Sequence, residues 1–170
     1  MELEIKTAEE LVDHEFEARW AARRQGPQAE VLRWIVRAFI ECGGPIAVTE
    51  VEAAFRESPA GVRGEVTALD TQDLIVIAEG KITLAYPFSA APTPFTVALP
   101  DEGERFACCA VDALGIAPML GERIAIRAPC HHCGEPLELA ADPTGPLGAG
   151  DVMVWVGKRG EDGRRACTSL

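Results

Sequence analysis

The sequence predicts an α+β fold, a helical module followed by a small mixed β-sheet domain with one packed helix. Apolar residues recur at helical spacing up to Leu69, and β-rich runs dominate from Leu74 onward. Between the two halves, Pro87 to Pro94 ("PFSAAPTP") forms a proline-rich joint. These features divide the chain into an arm (1–27), a helical module ending in a hairpin (28–90) and a sheet domain (91–170).

Thr7-Ala-Glu-Glu10 has the form of a capping box and predicts a polar helix to about Ala22, broken at Gln25-Gly-Pro27. From Gln28 to Cys42, Val31, Leu32, Ile35, Val36 and Phe39 mark one face of a core helix, stopped by Gly43-Gly44-Pro45. Thr49-Glu-Val-Glu52 reads as a second capping box, opening a short helix through Phe55. Ser58 before Pro59 opens a third helix, carrying Val62, Val66 and Leu69. "LIVIAEGKITLAY" predicts a hairpin turning at Glu79-Gly80. Three helices and a hairpin are the order of a winged-helix module.

Beyond the joint, "FTVAL" predicts a strand. Asp101-Glu-Gly-Glu104 is read as the cap of a helix containing "RFACCAVDALGI", which Pro118 ends. Phe106, Cys109, Ala110, Ala113, Leu114 and Ala117 would share one face of it. "RIAIRA" and "LELA" read as strands joined by the tight knuckle "PCHHCGEP". "DPTGPLGAG" reads as a loop, and "DVMVWVG" and "RRACTSL" as a last pair of strands.

Hydrophobic residues at 48% and charged residues at 25% describe a folded protein. A net charge of -11 argues against nucleic acid, which needs clustered cations, and the third helix offers only Arg63. The first twenty residues lack the pattern of a secretory signal, and no apolar run reaches the roughly 18 residues of a membrane span. A cytoplasmic location is therefore expected, where the six cysteines (42, 108, 109, 130, 133 and 167) would stay reduced.

Three groups of thiols carry candidate chemistry. On a helix, Cys109 and Asp112 would stand side by side, while Cys108 would point about a hundred degrees away. The same spacing also suits a small core thiol beside a carboxylate at the solvated margin. Cys130-His-His-Cys133-Gly is the knuckle by which zinc ribbons and treble-clef folds present two thiolates, so zinc or copper is a candidate there. Yet a structural zinc wants four ligands and no second C-x-x-C occurs, so a turn with buried thiols fits equally. Cys167, in "RRAC", has two arginines nearby to favour its thiolate.

Taken in order, Cys109-Ala-Val-Asp112-Ala-Leu114, "IAPMLGERIAIRAPC" and "RRAC" resemble the organomercurial (alkylmercury) lyase family, over roughly residues 28 to 170. The resemblance implies an alkylmercury-lyase-like sheet domain in which Cys109, Cys167 and Asp112 are catalytic. The two cysteines would hold mercury as substrate and product, Asp112 would move the proton, and Cys130 would be structural, with Cys133 an addition. It implies no required cofactor, a small organomercurial as substrate, and low-molecular-weight thiols or a mercuric-ion-accepting protein as partners. Tyr86, Phe88, Phe95, Phe106 and Trp155 are the aromatic candidates for a pocket around the organic group. The competing expectation is a non-catalytic zinc- or copper-binding regulatory or storage protein of the same fold. A metal-sensing winged-helix regulator is weaker, given the acidity of the chain.

Overall fold

The computed structural model of the chain describes residues 4–56 and 59–156. The Thr7 capping box forms as expected: Glu10 N–H donates to Thr7 Oγ1 at 3.3 Å and Thr7 N–H to Glu10 Oε2 at 2.8 Å. The helix it opens, α1 (Ala8–Leu11), ends after one turn because Val12 adopts extended backbone, and α2 (His14–Arg24) starts afresh. The single arm helix expected to Ala22 is thus two.

α3 (Ala29–Cys42) buries Val31, Leu32, Ile35 and Phe39, and ends at Gly43, whose φ of 76° lets its N–H return to Phe39 O. α4 (Val48–Ala54) begins earlier than the Thr49 box predicts, since Glu50 Oε2 accepts the N–H of Ala47 at 2.6 Å. α5 (Pro59–Thr71) supplies Val62, Val66 and Leu69 to the same core. Between α3 and α4 lies β1 (Ile46–Ala47), and α5 leads into the hairpin of β2 (Ile75–Ala78) and β3 (Lys81–Ala85). Glu79 and Gly80 turn it with φ of 51° and 75°, the two positive values of a type I′ turn.

β2 lines one edge of β3, so β1 and β4 (Phe88–Ser89) share the other edge. β4 also pairs with β6 (Gly103–Ala107). The antiparallel order then continues through β5 (Phe95–Leu99), β7 (Ile124–Pro129), β8 (Pro136–Asp142) and β9 (Gly145–Leu147). The proline-rich joint therefore holds a short strand that carries the sheet across it. α6 (Ala110–Leu120) covers the face bearing Val97, Ile124, Ile126 and Ala141 with Ala113, Ile116 and Ala117, all buried.

Several expectations for the second half are corrected. Asp101 to Glu104 do not cap a helix: Asp101 (φ 62°) and Gly103 (φ 78°) turn a hairpin, and Gly103–Ala107 is strand β6, in register with Phe95–Leu99. Ladder pairing on two sides outweighs the local capping pattern. Phe106 thus belongs to the sheet, leaving the helical face it was assigned to. Pro118 does not end α6 either; the helix runs on to Leu120 and stops at Gly121 (φ 74°). A proline there removes one hydrogen bond only a turn from the end, where little depends on it. Part of "DPTGPLGAG" forms β9, and residues 152–156 are not in a strand. The "RRACTSL" strand lies outside the described residues.

Arg105, on β6, reaches α3. Its Nε donates to Phe39 O and Ile40 O at 3.0 and 2.8 Å, and its Nη2 donates to Ile40 O and Glu41 O, capping the helix C-terminus with a cation. Arg105→Met keeps much of the side-chain stem but removes the donor to the Ile40 and Glu41 carbonyls. It is expected to cost about 2 kcal/mol, read as a lower urea midpoint at unchanged slope; an unchanged midpoint would show that the cap contributes nothing.

Candidate active site at the start of α6

The site forms where β6 ends. Ala107 closes the strand, Cys108 and Cys109 make the bend, and Ala110 begins α6. The bend is held from both sides: Cys108 N–H donates to Pro87 O at 2.9 Å, and Thr93 Oγ1 to Ala107 O at 2.7 Å. The sequence reading missed Pro87 and Thr93 as positioning groups. Their signal, a threonine between prolines, reads only as a loop.

Cys109 is the N-cap of α6, with extended φ and ψ of -153° and 178°. Its sulfur stands where Ser or Thr usually stands and accepts the Asp112 N–H at 3.4 Å. The thiol in turn donates to Asp112 Oδ2 at 3.0 Å. The two side chains therefore meet as the i, i+3 spacing predicted, but as cap and third helical residue rather than as neighbours within a helix. Because both cysteines precede the first helical turn, the hundred-degree argument for Cys108 does not apply.

Burial pushes the Cys109 thiol up to about 11, helped by its hydrogen bond to Asp112 and that residue's negative charge. The resting sulfur is thus a thiol whose proton already lies against a carboxylate oxygen. A thiophilic metal would take the sulfur only as the proton leaves, and Asp112 is the group in line to receive it.

Among the aromatic candidates, Phe88 and Phe95 both pair with Ala107, so the three lie on one face of the sheet, two residues before Cys109. Phe88 is fully buried and Phe95 partly. Phe106 pairs with Ser89 and Thr96 on the opposite face. Tyr86 stacks edge-on against Trp20 at 6.1 Å, and Trp155 is 64% exposed. Two clefts of about 510 and 460 Å³ open beside α3 and α4 and are lined by neither Cys109 nor Asp112.

Cys167 lies outside the described residues. Cys130 and Cys133 stand together in the turn between β7 and β8. There the backbone N–H groups of Cys133 and His132, and then the Cys133 thiol, favour the Cys130 thiolate and hold it below the ordinary thiol range. Among the described residues no group of three or more His, Cys, Asp or Glu is placed to hold a metal ion, so the fourfold ligation of a structural zinc has no basis there. Arg63, the cation of α5, is paired with Glu52, its Nη2 donating to Oε2 at 3.1 Å. Among the described residues, no helix is long and apolar enough to cross a membrane.

The family model "MerB: Alkylmercury lyase" matches residues 88–170, beginning at β4 and taking in Cys109 and Asp112. The chain is 28% identical over 123 residues to the alkylmercury lyases of Bacillus cereus and Clostridium butyricum, covering 70% of this chain and 54% of each relative. To that of Staphylococcus epidermidis it is 25% identical over 132 residues, covering 76% of this chain and 59% of the relative. The matches thus span little more than half the length of these curated relatives. A crystal structure of the mercury-bound form of MerB2 shares the fold, with a TM-score of 0.62 at 22% identity over 79% of this chain and 66% of that one. The resemblance read from the sequence is borne out.

Proposed function

On the premise that residues 88–170 are alkylmercury-lyase-like, we propose that the protein cleaves carbon–mercury bonds, releasing a hydrocarbon and mercuric ion. The observation that carries this reading is the Cys109 thiol hydrogen-bonded to Asp112 at 3.0 Å at the head of α6, inside the matched segment.

Cys109 attacks R–Hg–X, its proton passes to Asp112, and X leaves as an anion. Cys167 adds a second thiolate, favoured by the arginines of "RRAC". Two sulfur donors raise electron density on the mercury-bound carbon. Asp112 then returns the proton to that carbon. The bonding pair leaves with the carbon as R–H, and Hg²⁺ stays on the two sulfurs. Protein side chains supply every group in this sequence, so no cofactor is called for. Small thiols or an accepting protein remove the ion, and a cytoplasmic setting suits free thiols.

The N-terminal part, 28–90, is read as a winged-helix-like scaffold, supported by the order α3, α4, α5 and hairpin with β1 added to β3. The Arg63–Glu52 pairing favours a structural over a DNA-reading role for it. Residues 91–170 are then the catalytic unit and 1–27 an arm. The family match favours this lyase over a non-catalytic zinc or copper store.

The test is hydrocarbon release. With methyl- or phenylmercuric chloride and excess monothiol, gas chromatography is expected to detect methane or benzene at many turnovers per protein. No release above the rate with thiol alone would overturn the proposal.

A further inference from the structure

The turn between β7 and β8 holds a pair of thiols that the Cys109–Asp112 chemistry does not use. The last rung of the ladder is Pro129 with Pro136. Beyond it Cys130 N–H donates to Glu135 O at 2.7 Å and Gly134 N–H donates to Cys130 O at 2.8 Å. Gly134 closes the turn at φ 76°, a conformation that favours glycine. These two bonds close a tight turn with Cys130 and Cys133 three residues apart inside it. Cys130 is half-buried, whereas His131, His132 and Cys133 are exposed. The turn thus presents two closely spaced thiols at the surface, held by backbone hydrogen bonds on either side of them.

Such a pair selects its ligand by coordination number. Zinc needs four donors, which the described residues do not gather here. A soft cation that is satisfied by two thiolates needs no more than the turn offers. We propose that Cys130 and Cys133 form a second thiolate site that takes one soft two-coordinate cation, mercuric ion serving as its probe. The chelate follows from the turn alone: once one sulfur has bound, the other is held beside the ion at high effective concentration. A lone surface thiol such as Cys42 has no such advantage over free thiols in solution.

The site stands apart from carbon–mercury cleavage and is tested without it. A full-length Cys109→Ser/Cys167→Ser protein, which lacks the proposed lyase thiols, is loaded with mercuric chloride under argon and desalted in excess monothiol. Its metal is then counted by mass spectrometry, and thiolate-to-mercury absorption is recorded in the ultraviolet. About one equivalent is expected to remain, and adding Cys133→Ser is expected to weaken retention roughly a hundredfold. Cys133→Ala is run beside it, with circular dichroism to verify folding. Equal retention with and without Cys133, or none in the starting variant, overturns the site. In the otherwise natural chain, Cys133→Ser is expected to leave hydrocarbon release unchanged, so failure of the lyase proposal and failure of this one are read separately.

Discussion

Cys109→Ser is expected to lower hydrocarbon release by roughly a thousandfold or more, the scale on which loss of a nucleophile is felt. The variant isolates chemistry from folding because of where Cys109 sits. It is the N-cap of α6, and its sulfur accepts the Asp112 N–H. Serine is among the best residues at that position, so the helix start should be kept or slightly strengthened, by under about 1 kcal/mol. A hydroxyl, however, is a hard and weakly acidic donor that does not hold mercury as a thiolate does. Gas chromatography of the hydrocarbon, paired with a thermal melt, separates the two effects. Undiminished release would remove Cys109 from the mechanism, while loss of release with a lowered Tm would point to damage at the cap.

Asp112→Asn should act in two opposite directions at once. Asparagine neither takes a thiol proton nor returns one to carbon, so turnover is expected to fall by about 10²–10⁴-fold. The Cys109 thiol should at the same time become more reactive toward iodoacetamide near pH 8. Its upward shift to about 11 comes first from burial, then from the hydrogen bond and charge of Asp112; removing the carboxylate removes the second part and leaves the first. Slower alkylation, or alkylation unchanged beside lost turnover, would contradict the role given to Asp112.

The same shift fixes a pH window. The folded-state value lies above the ordinary thiol value of 9.0, so this contribution to stability is complete below pH 9.0 and is lost as pH rises through about 11. In Asp112→Asn the loss should be smaller, because the folded-state value lies closer to the unfolded one. Tm measured from pH 7 to 11 in both proteins reads it.

Much of the architecture was legible residue by residue. The apolar stripe of Val31, Leu32, Ile35 and Phe39 specified α3, because a helix can bury those positions only on one side. Glu79-Gly80 specified its hairpin, because few residue pairs accept two positive φ values. β6 was not legible: "GERFA" carries a capping-like acid before it and no clean alternation, and its strand state depends on β4 and β5, one on each edge. The break at Val12 likewise has no local signal as strong as the capping box before it.

For the site, the sequence by itself determined the partners. Three residues separate a thiol from a carboxylate at Cys109 and Asp112, and this spacing brings them together whether Cys109 lies within the helix or caps it, since an N-cap and the third helical residue also meet. It likewise determined the Cys130–Cys133 turn, where glycine and close spacing leave the chain little choice. Only the tertiary structure decided that Cys109 is a cap. Pairing of Gly103–Ala107 with β5, and of Phe106 and Ala107 with β4 as well, held those residues as strand and delayed the helix to Ala110, so the sulfur meets the N–H of Asp112 as well as its carboxylate. It also decided the protonation of that sulfur, because burial is a property of everything packed around Cys109, including strands distant in sequence.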